Sequence, residues 1–239
     1  MRILITRPKD DAESFASILR ARGHQPVVAP VMDVRVRTGV PLELDGVQAI
    51  LATSTNGVRA LAQRTERRGV PIYAVGPQTA ETARSAGFLL VHSADGDSNA
   101  LADMIIAQSD SAKGKLWHAA GAETAGKLRQ TLNAAGFAVE GTVLYEAIPV
   151  AELPAVAAQS LRGNALDGVM LFSPRSAKAF AELTINAGLA ESCACLDAFC
   201  ISTATAEALK TLSFARVAVA GDPNQRAMLA LIPGAEMGS

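Results

Sequence analysis

Short apolar runs alternate with amphipathic segments along the whole chain, and this alternation predicts strands and helices in turn. Ten runs are predicted as strands, because each is short and largely apolar, as in a parallel sheet buried on both faces. They are Arg2–Thr6, Pro26–Val31, Val47–Ala52, Ile72–Val75, Phe88–His92, Lys115–Ala119, Ala138–Tyr145, Gly168–Phe172, Ala198–Ile201 and Arg216–Ala220. Regular strand–helix alternation predicts doubly wound α/β domains.

The helical period is clearest in two of the segments between strands. In each, four mostly apolar positions lie at the spacing i, i+3, i+4 and i+7 of one helix face, and the segment ends at a glycine, the residue that most often terminates a helix. The positions are Phe15, Ile18, Leu19 and Arg22 before Gly23, and Leu128, Thr131, Leu132 and Ala135 before Gly136. Both segments are predicted as amphipathic helices.

The two halves of the chain resemble each other. An offset of 113 relates Gly23 to Gly136, 119 relates Ser54 to Ser173, and 126 relates Thr79-Ala80-Glu81 to Thr205-Ala206-Glu207. A repeat of about half the chain predicts two similar α/β domains, and two such domains would form a ligand cleft. Chance similarity between alanine-rich helices is the alternative explanation.

Charge and length narrow the classes of function. The 239 residues include 22 basic and 23 acidic side chains, so no global positive field favours nucleic acid or an anionic membrane. An acidic ligand must therefore be bound locally. The apolar run at Met1–Arg7 is too short for a signal peptide, and no stretch approaches the roughly 18 residues that span a bilayer. We expect a cytoplasmic protein.

Cysteine spacing gives no metal-site prediction. Cys193, Cys195 and Cys200 follow a C-x-C-x4-C pattern without a nearby histidine, whereas zinc ligands usually pair at gaps of two to four residues. Their odd number is typical of a reducing compartment. Cys200 lies in an apolar run and is predicted as a core residue.

Small hydroxylated residues follow four of the predicted strands. In a parallel sheet these junctions meet at one edge, where helix N-termini present free N–H groups that bind anions. The junctions are Thr53-Ser54-Thr55-Asn56-Gly57, Gly76-Pro77-Gln78-Thr79, Ser173-Pro174-Arg175-Ser176 and Ser202-Thr203-Ala204-Thr205. One helix terminus contributes about 0.3–1 kcal/mol, so the set favours a ligand with many carboxylates. Ordinary helix capping is the alternative for any single junction.

Other catalytic motifs are incomplete. Gly121 to Lys127 fits G-x-x-x-x-G-K, but Leu128 stands where Ser or Thr would reach magnesium, and Glu123 would place negative charge in the loop. No G-x-G-x-x-G follows a strand, and no serine lies in a G-x-S-x-G elbow. Tyr145 closes an apolar strand, where its phenol could donate a hydrogen bond into a cleft or pack at the core edge.

Taken in order, several of these motifs resemble the uroporphyrinogen-III synthase family across nearly the whole chain. They are Ile3-Leu4-Ile5-Thr6-Arg7-Pro8, Thr53-Ser54 before Asn56-Gly57-Val58, Val75-Gly76 with Thr79-Ala80, Gly121, Val143-Leu144-Tyr145 and Phe172-Ser173-Pro174. The resemblance implies an α/β fold of two flavodoxin-like domains with parallel sheets, joined by a two-stranded linker. Residues 1–34 and 149–239 would form the first domain, and residues 35–148 a second domain inserted in it, with crossings near Met32–Arg37 and Ala147–Leu153.

The same resemblance implies a cofactor-free lyase that closes hydroxymethylbilane to uroporphyrinogen III, inverting the last pyrrole ring and releasing water. Tyr145 would assist departure of the hydroxyl. The expected carboxylate-binding residues are Arg7, Thr53, Ser54, Gly76, Thr79, Gly121, Ser173 and Thr205. We expect a monomer with no metal, nucleic-acid or membrane partner.

Three departures from the family pattern accompany the resemblance. Thr55 and Asn56 stand where Pro-Arg is often seen, Ala120 replaces a basic residue, and Ser202 stands where Gly76 suggests glycine. Two other classes of function stay open on the sequence: a two-domain module that binds a carboxylate ligand, and a nucleotide or sugar-phosphate enzyme using the loop after Gly121.

Overall fold

The computed structural model describes residues 1–121 and 126–233, and the chain divides into two compact units. Unit 1 comprises Met1–Asp33 and Ile148–Ser239, and unit 2 comprises Val34–Ala147. The chain therefore starts unit 1, builds all of unit 2, and then returns to complete unit 1.

Both units are built from short strands that alternate with helices. In chain order the strands are β1 (Arg2–Ile5), β2 (Gln25–Val28), β3 (Met32–Val36), β4 (Val47–Ala52), β5 (Ile72–Ala74), β6 (Val91–Ser93), β7 (Lys115–Gly121), β8 (Val139–Pro149), β9 (Gly168–Leu171), β10 (Asp197–Cys200) and β11 (Arg216–Val219). The helices are α1 (Lys9–Ala21), α2 (Thr55–Ala62), α3 (Pro77–Ser85), α4 (Ser98–Gln108), α5 (Gly126–Ala134), α6 (Ala155–Arg162), α7 (Pro174–Asn186), α8 (Thr203–Glu207) and α9 (Gln225–Ala230).

The sheet of unit 1 has the strand order β2-β1-β9-β10-β11, and all of its pairs are parallel. Counted within the unit, this is the order 2-1-3-4-5 of flavodoxin-like folds. The sheet of unit 2 has the order β3-β8-β7-β4-β5-β6, and the pairs from β8 to β6 are parallel. The α/β fold with parallel sheets is confirmed.

The two sheets have the same spatial order although the chain visits their strands differently. Strands β8, β7, β4, β5 and β6 of unit 2 correspond to β2, β1, β9, β10 and β11 of unit 1. Each sheet reverses its winding direction beside the central strand, and such a reversal opens a ligand crevice at the carboxyl edge.

The register of the strand pairs follows the offsets seen in the sequence. Ile5 pairs with Met170 in unit 1, and His118 pairs with Leu51 in unit 2. These are equivalent pairs, because the offset of 113 relates Ile5 to His118 and the offset of 119 relates Leu51 to Met170. Phe199 pairs with Met170 as Tyr73 pairs with Leu51. The internal repeat is therefore confirmed at the level of strand pairing, and chance similarity does not account for it.

The central strands of unit 2, β4, β5 and β7, bury both of their faces, which explains their continuous apolar runs. On one face, Ile50 and Ile72 pack with α2 and α3 residues such as Val58 and Ala83. On the other face, a second cluster packs the sheet against α4 and α5; it contains Ala49, Leu51, Tyr73, Leu101, Ala102, Ile105, Leu116, Leu128, Leu132 and Phe137. The sheet of unit 2 is thus the middle of three layers.

The two clearest helical predictions are confirmed. Helix α1 ends at Ala21 and α5 ends at Ala134, and each is followed by a glycine with positive φ, 77° at Gly23 and 88° at Gly136. Glycine adopts this left-handed conformation without the steric cost that a Cβ brings. The apolar stripes face the core in both helices.

The predicted strands differ most from the structure at two places. The predicted strand Phe88–His92 is wrong at its start, because β6 begins at Val91. Phe88 is buried under the Arg68 guanidinium, 4.8 Å from its ring centroid, whereas Leu89 and Leu90 are exposed. The apolar run therefore consists of one core residue, two exposed residues in a surface bend, and only then the start of the strand. Strand β3 was missed, because its residues alternate between buried and exposed positions and read as a connector.

Strand β3 lies beside β8, so the two predicted crossings are neighbours in a sheet. The Arg37 N–H donates to the Leu144 carbonyl at 2.7 Å, and the Val150 N–H donates to the Val31 carbonyl at 3.1 Å. The unit boundaries fall within these two strands, after Asp33 and after Ala147.

All three cysteines carry free thiols. Cys193 and Cys200 are fully buried, and burial raises the pKa of each thiol to about 11. The prediction of Cys200 as a core residue is confirmed. In the described ranges, no helix is long and apolar enough to cross a membrane.

Candidate active site at the carboxyl edge of the sheets

Tyr145 lies opposite Gly121 at the carboxyl end of β7. The pairing steps from Ala120 with Val143 to Gly121 with Tyr145, so β8 has one extra residue there. Such a bulge redirects a side chain, and bulges are frequent beside active sites. Here the ring turns toward β4, where Tyr145 Oη lies 2.8 Å from Ser54 Oγ.

Gly121 provides the space for the tyrosine ring. A Cβ on Gly121 would lie 2.6 Å from both Cζ and Oη of Tyr145, well inside van der Waals contact. Any larger residue at position 121 must displace the phenol. This contact explains why residue 121 is a glycine, and no nucleotide-binding loop is needed to account for it. Residues 122–125 of the loop that fits G-x-x-x-x-G-K, Glu123 among them, lie outside the described residues.

Ser54 joins the tyrosine to the start of α2. Its backbone is extended, and its Oγ accepts a hydrogen bond from the Gly57 N–H at 3.0 Å, as an N-cap does. A Cβ on Gly57 would lie 2.5 Å from the Ala119 carbonyl oxygen, so the first turn of α2 is pressed directly against β7. The result is one hydrogen-bonded path from a helix N-terminus through Ser54 to Tyr145.

A second polar pair, Thr53 and His118, lies on the opposite face of β4. Thr53 Oγ1 is 3.0 Å from His118 Nε2, and the imidazole is fully buried in β7. Burial, with a smaller contribution from the positive charge of Arg129, lowers the pKa of His118 to about 4. The imidazole is therefore neutral at physiological pH.

The next junction in unit 2 presents backbone groups in place of a side-chain cap. Gly76 caps α3 with an extended backbone and no side-chain cap, and Thr79 is buried in the first turn. At the third junction Asp97 caps α4, accepting from the N–H groups of Asn99 and Ala100, and these bonds lower the pKa of the Asp97 carboxyl. A carboxylate thus occupies the N-terminus of α4, which disfavours a second anion there.

The hydroxyl residues of unit 1 are paired within their own helices. Ser173 caps α7, and its Oγ lies 2.9 Å from Ser176 Oγ. Ser202 caps α8 in the same way, with its Oγ 3.0 Å from the buried Thr205 Oγ1. Ser202 has the extended backbone of Gly76, so its side chain adds a cap without changing the local conformation.

Arg7 lies at the carboxyl end of β1 and is not a solvent-facing arginine. Its Nη2 is 3.3 Å from Asp11 Oδ2 across one helical turn, and its guanidinium stacks 4.5 Å over the Phe172 ring. The positive charge is held in place by these two contacts. It lies at the same sheet edge as Ser173.

The predicted residues therefore fall into three groups. Thr53, Ser54, Gly121 and Tyr145 come together around the end of β4, and Gly76 with Thr79 forms the neighbouring junction. Arg7, Ser173 and Thr205 lie at strand ends of unit 1.

A protein-family model described as uroporphyrinogen-III synthase HemD matches residues 13–230. The chain belongs to the uroporphyrinogen-III synthase family. A family member from Methanocaldococcus jannaschii, which carries a provisional uroporphyrinogen-III synthase name, is 34% identical over 88 residues. That alignment covers 34% of this chain and 37% of the relative, so the chain matches little more than a third of the length of this relative.

Solved structures of the family share the fold. Uroporphyrinogen-III synthetase from Helicobacter pylori is 17% identical with a TM-score of 0.62, and the alignment covers 97% of this chain and 98% of that one. A mutant uroporphyrinogen III synthase from Thermus thermophilus is 20% identical with a TM-score of 0.51, covering 97% and 96%. At these identities the likeness supports the α/β architecture.

Within this family fold, His118 is a candidate site residue that the sequence did not predict. The available signal was its position inside the apolar run Leu116–Ala120, where a polar side chain must find a buried partner.

Over the described ranges, no group of three or more His, Cys, Asp or Glu residues could hold a metal ion.

Proposed function

We propose that this chain closes hydroxymethylbilane to uroporphyrinogen III, with inversion of the terminal pyrrole ring and loss of water. Membership of the uroporphyrinogen-III synthase family supports the reaction class, and the Tyr145–Ser54 hydrogen bond is the observation that supports this site. We further propose that the protein acts in the cytoplasm as a monomer without a cofactor, which three free thiols suit.

The reaction requires one C–O bond to break and one ring to close. The terminal hydroxyl leaves with a proton as water, and the lone pair of the pyrrole nitrogen stabilises, through the ring, the methylene carbon from which the hydroxyl departed. The last pyrrole then attacks through its substituted carbon, and rearrangement of the spiro intermediate inverts the ring. Cyclisation without an enzyme gives isomer I, so positioning of the chain is the main task of the protein.

Tyr145 is proposed to donate the hydrogen bond that helps the hydroxyl leave. Ser54 Oγ accepts from the Gly57 N–H, and its own hydrogen can then be donated to Tyr145 Oη. In this arrangement the phenolic hydrogen is directed to another acceptor, the departing oxygen. The positive end of α2 reinforces the path, because successive donors polarise one another.

The remaining strand ends are proposed to bind acetate and propionate groups. Gly76 brings the backbone of α3 close to a ligand, and Thr53 and Thr79 add hydroxyl donors in unit 2. Arg7, Ser173 and Thr205 are the candidates in unit 1, where Arg7 supplies a fixed positive charge. Several weak contacts together suit a substrate with eight carboxylates.

The experiment combines purified protein with hydroxymethylbilane generated enzymatically in the same vessel. Oxidised products are then separated by chromatography into isomers I and III. We expect isomer III as the main product, and isomer I alone at all protein concentrations would refute the proposal. That result, combined with tight binding of a tetrapyrrole polycarboxylate, would instead favour a carboxylate-binding module.

A further inference from the structure

His118 occupies a position that the fold itself fills with an apolar residue. The matched registers place His118 where unit 1 has Ile5, and Thr53 where unit 1 has Phe172. Ile5 is fully buried, and Phe172 packs on the same cluster. Packing at this point of the sheet therefore does not require a histidine, and a buried imidazole needs another explanation.

The hydrogen bonds of the pair decide where its protons lie. His118 Nε2 is 3.0 Å from Thr53 Oγ1, whereas Nδ1 is buried without a hydrogen-bond partner in the described part of the chain. A buried N–H group without an acceptor is costlier and rarer than an unpaired acceptor nitrogen. The tautomer with its proton on Nε2 is therefore favoured.

We infer that His118 is a positioning residue, which donates from Nε2 to Thr53 Oγ1 and so fixes the Thr53 hydroxyl as a donor toward a carboxylate. A threonine hydroxyl has one hydrogen and two lone pairs. Once Nε2–H occupies a lone pair, the hydroxyl hydrogen must go to another acceptor. This inference rests on the proposed function, in which Thr53 binds a carboxylate of the substrate. The low pKa of His118 agrees with it, since a neutral imidazole keeps the same tautomer across physiological pH.

The first test is spectroscopic and independent of activity. Long-range ¹H–¹⁵N correlation spectra of the wild-type protein resolve the ring nitrogens of its 3 histidines, and His118→Ile assigns the His118 signals. We expect Nε2 to be protonated and Nδ1 to be unprotonated. A proton on Nδ1 would overturn the inference even if the protein is an active synthase.

The second test is a double-mutant cycle with His118→Ile, Thr53→Val and the double variant. Loss of one oriented hydrogen bond should raise KM about 3- to 10-fold and leave kcat within about twofold, since a uniform binding contact is removed. If His118 acts through Thr53, its substitution adds nothing to Thr53→Val. Independent, multiplying effects on KM, or an unchanged KM for His118→Ile, would overturn the inference.

Isoleucine is the matched substitution, because the corresponding strand of unit 1 carries Ile5 at this place. His118→Gln retains an N–H donor at the reach of Nε2 and should restore KM to near the wild-type value. If the isoleucine variant does not fold, His118→Gln decides: a KM as high as that of Thr53→Val overturns the inference. Absence of isomer III from the wild-type protein would refute the proposed function and leave the spectroscopic result standing.

Discussion

The two units share strand order and register but differ at the carboxyl edge of their sheets. In unit 1 the hydroxyls pair inside single helical turns, Ser173 with Ser176 and Ser202 with Thr205. In unit 2 Ser54 reaches across to Tyr145 on another strand. The comparison separates two roles of one motif: a helix cap that stabilises its own helix, and a cap that also holds a side chain of a different element.

A similar contrast holds at the residues just before Ser54 and Ser173 and at their neighbours on the adjacent strand. Unit 1 has the apolar residues Ile5 and Phe172, whereas unit 2 has the polar pair His118 and Thr53. The two sheets share strand order and register, whereas the residues at these matched positions differ. The following variants test this division between the units.

Tyr145→Phe should give the largest effect. Removal of one positioned donor typically reduces the rate by about 100-fold or more, so we expect kcat to fall by about 100-fold. The fold should stay intact, because the ring and its packing remain. The matched control is Tyr73→Phe, which changes the other of the 2 tyrosines, stacked on His92 at 4.8 Å. Stopped assays of isomer III measure both variants; equal rates for the two would leave Tyr145 as a packing residue.

Gly121→Ala should have the next largest effect. Its Cβ would lie 2.6 Å from Tyr145 Oη, so the ring must move away from Ser54. We expect about a tenfold or greater loss of kcat and a fall of about 1–3 kcal/mol in the free energy of unfolding. Gly69→Ala is the control, because a Cβ there meets no atom within 4 Å. Activity and urea unfolding are measured together, and a variant with normal kcat would show that the ring position is unimportant.

Ser54→Ala and Ser173→Ala compare the equivalent caps directly. Each removes an N-cap hydroxyl, so each should reduce the free energy of unfolding by about 1 kcal/mol. Only Ser54→Ala also removes a hydrogen-bond partner of Tyr145, and we expect it to lower kcat about tenfold. Ser173→Ala should raise KM and leave kcat within about twofold. The same kcat in both variants would contradict the assignment of separate roles.

The smallest expected effect is the pH dependence of stability that His118 contributes. The pKa of His118 is about 4 in the folded protein, below its ordinary 6.5. As pH falls through 6.5, the unfolded chain takes up the proton first, so folded stability is full above pH 6.5 and declines toward pH 4. Between pH 7 and pH 5.5 the loss is about 1 kcal/mol. The free energy of unfolding in urea is measured against pH for the wild-type protein and for His118→Ile, which carries the residue found at Ile5. The variant should lack this loss of stability, and the same slope with pH in both proteins would refute the prediction.

Much of the fold could be predicted from the sequence, because buried parallel strands are apolar throughout and the helices end at glycines. Val47–Ala52 was predicted at its exact bounds, and Leu19 and Leu132 were placed on buried helix faces. The local pattern gave the wrong prediction in two segments. Phe88–Leu90 is apolar but is not part of a strand, and Met32–Val36 is a strand whose residues alternate between buried and exposed positions.

The places of the candidate site residues at the strand ends were predictable in outline, because hydroxyl residues follow the strands in the sequence. The contact between Gly121 and Tyr145 was not, since it depends on a bulge that shifts one residue in β8. The Thr53–His118 bond was hidden for a related reason: it joins residues 65 positions apart, on strands whose adjacency only the sheet order reveals.

The insertion of unit 2 into unit 1 has a consequence for biosynthesis on the ribosome. Strand β1 pairs with β9, whose residues are translated about 165 positions later, while every strand pair from β4 to β8 is complete once β8 has emerged. Domains generally fold as units during synthesis. The inserted unit is therefore the earlier one to mature. The first strand–helix–strand segment of the nascent chain must wait, with one edge of β1 unpaired, until β9 is made in the last third of the polypeptide.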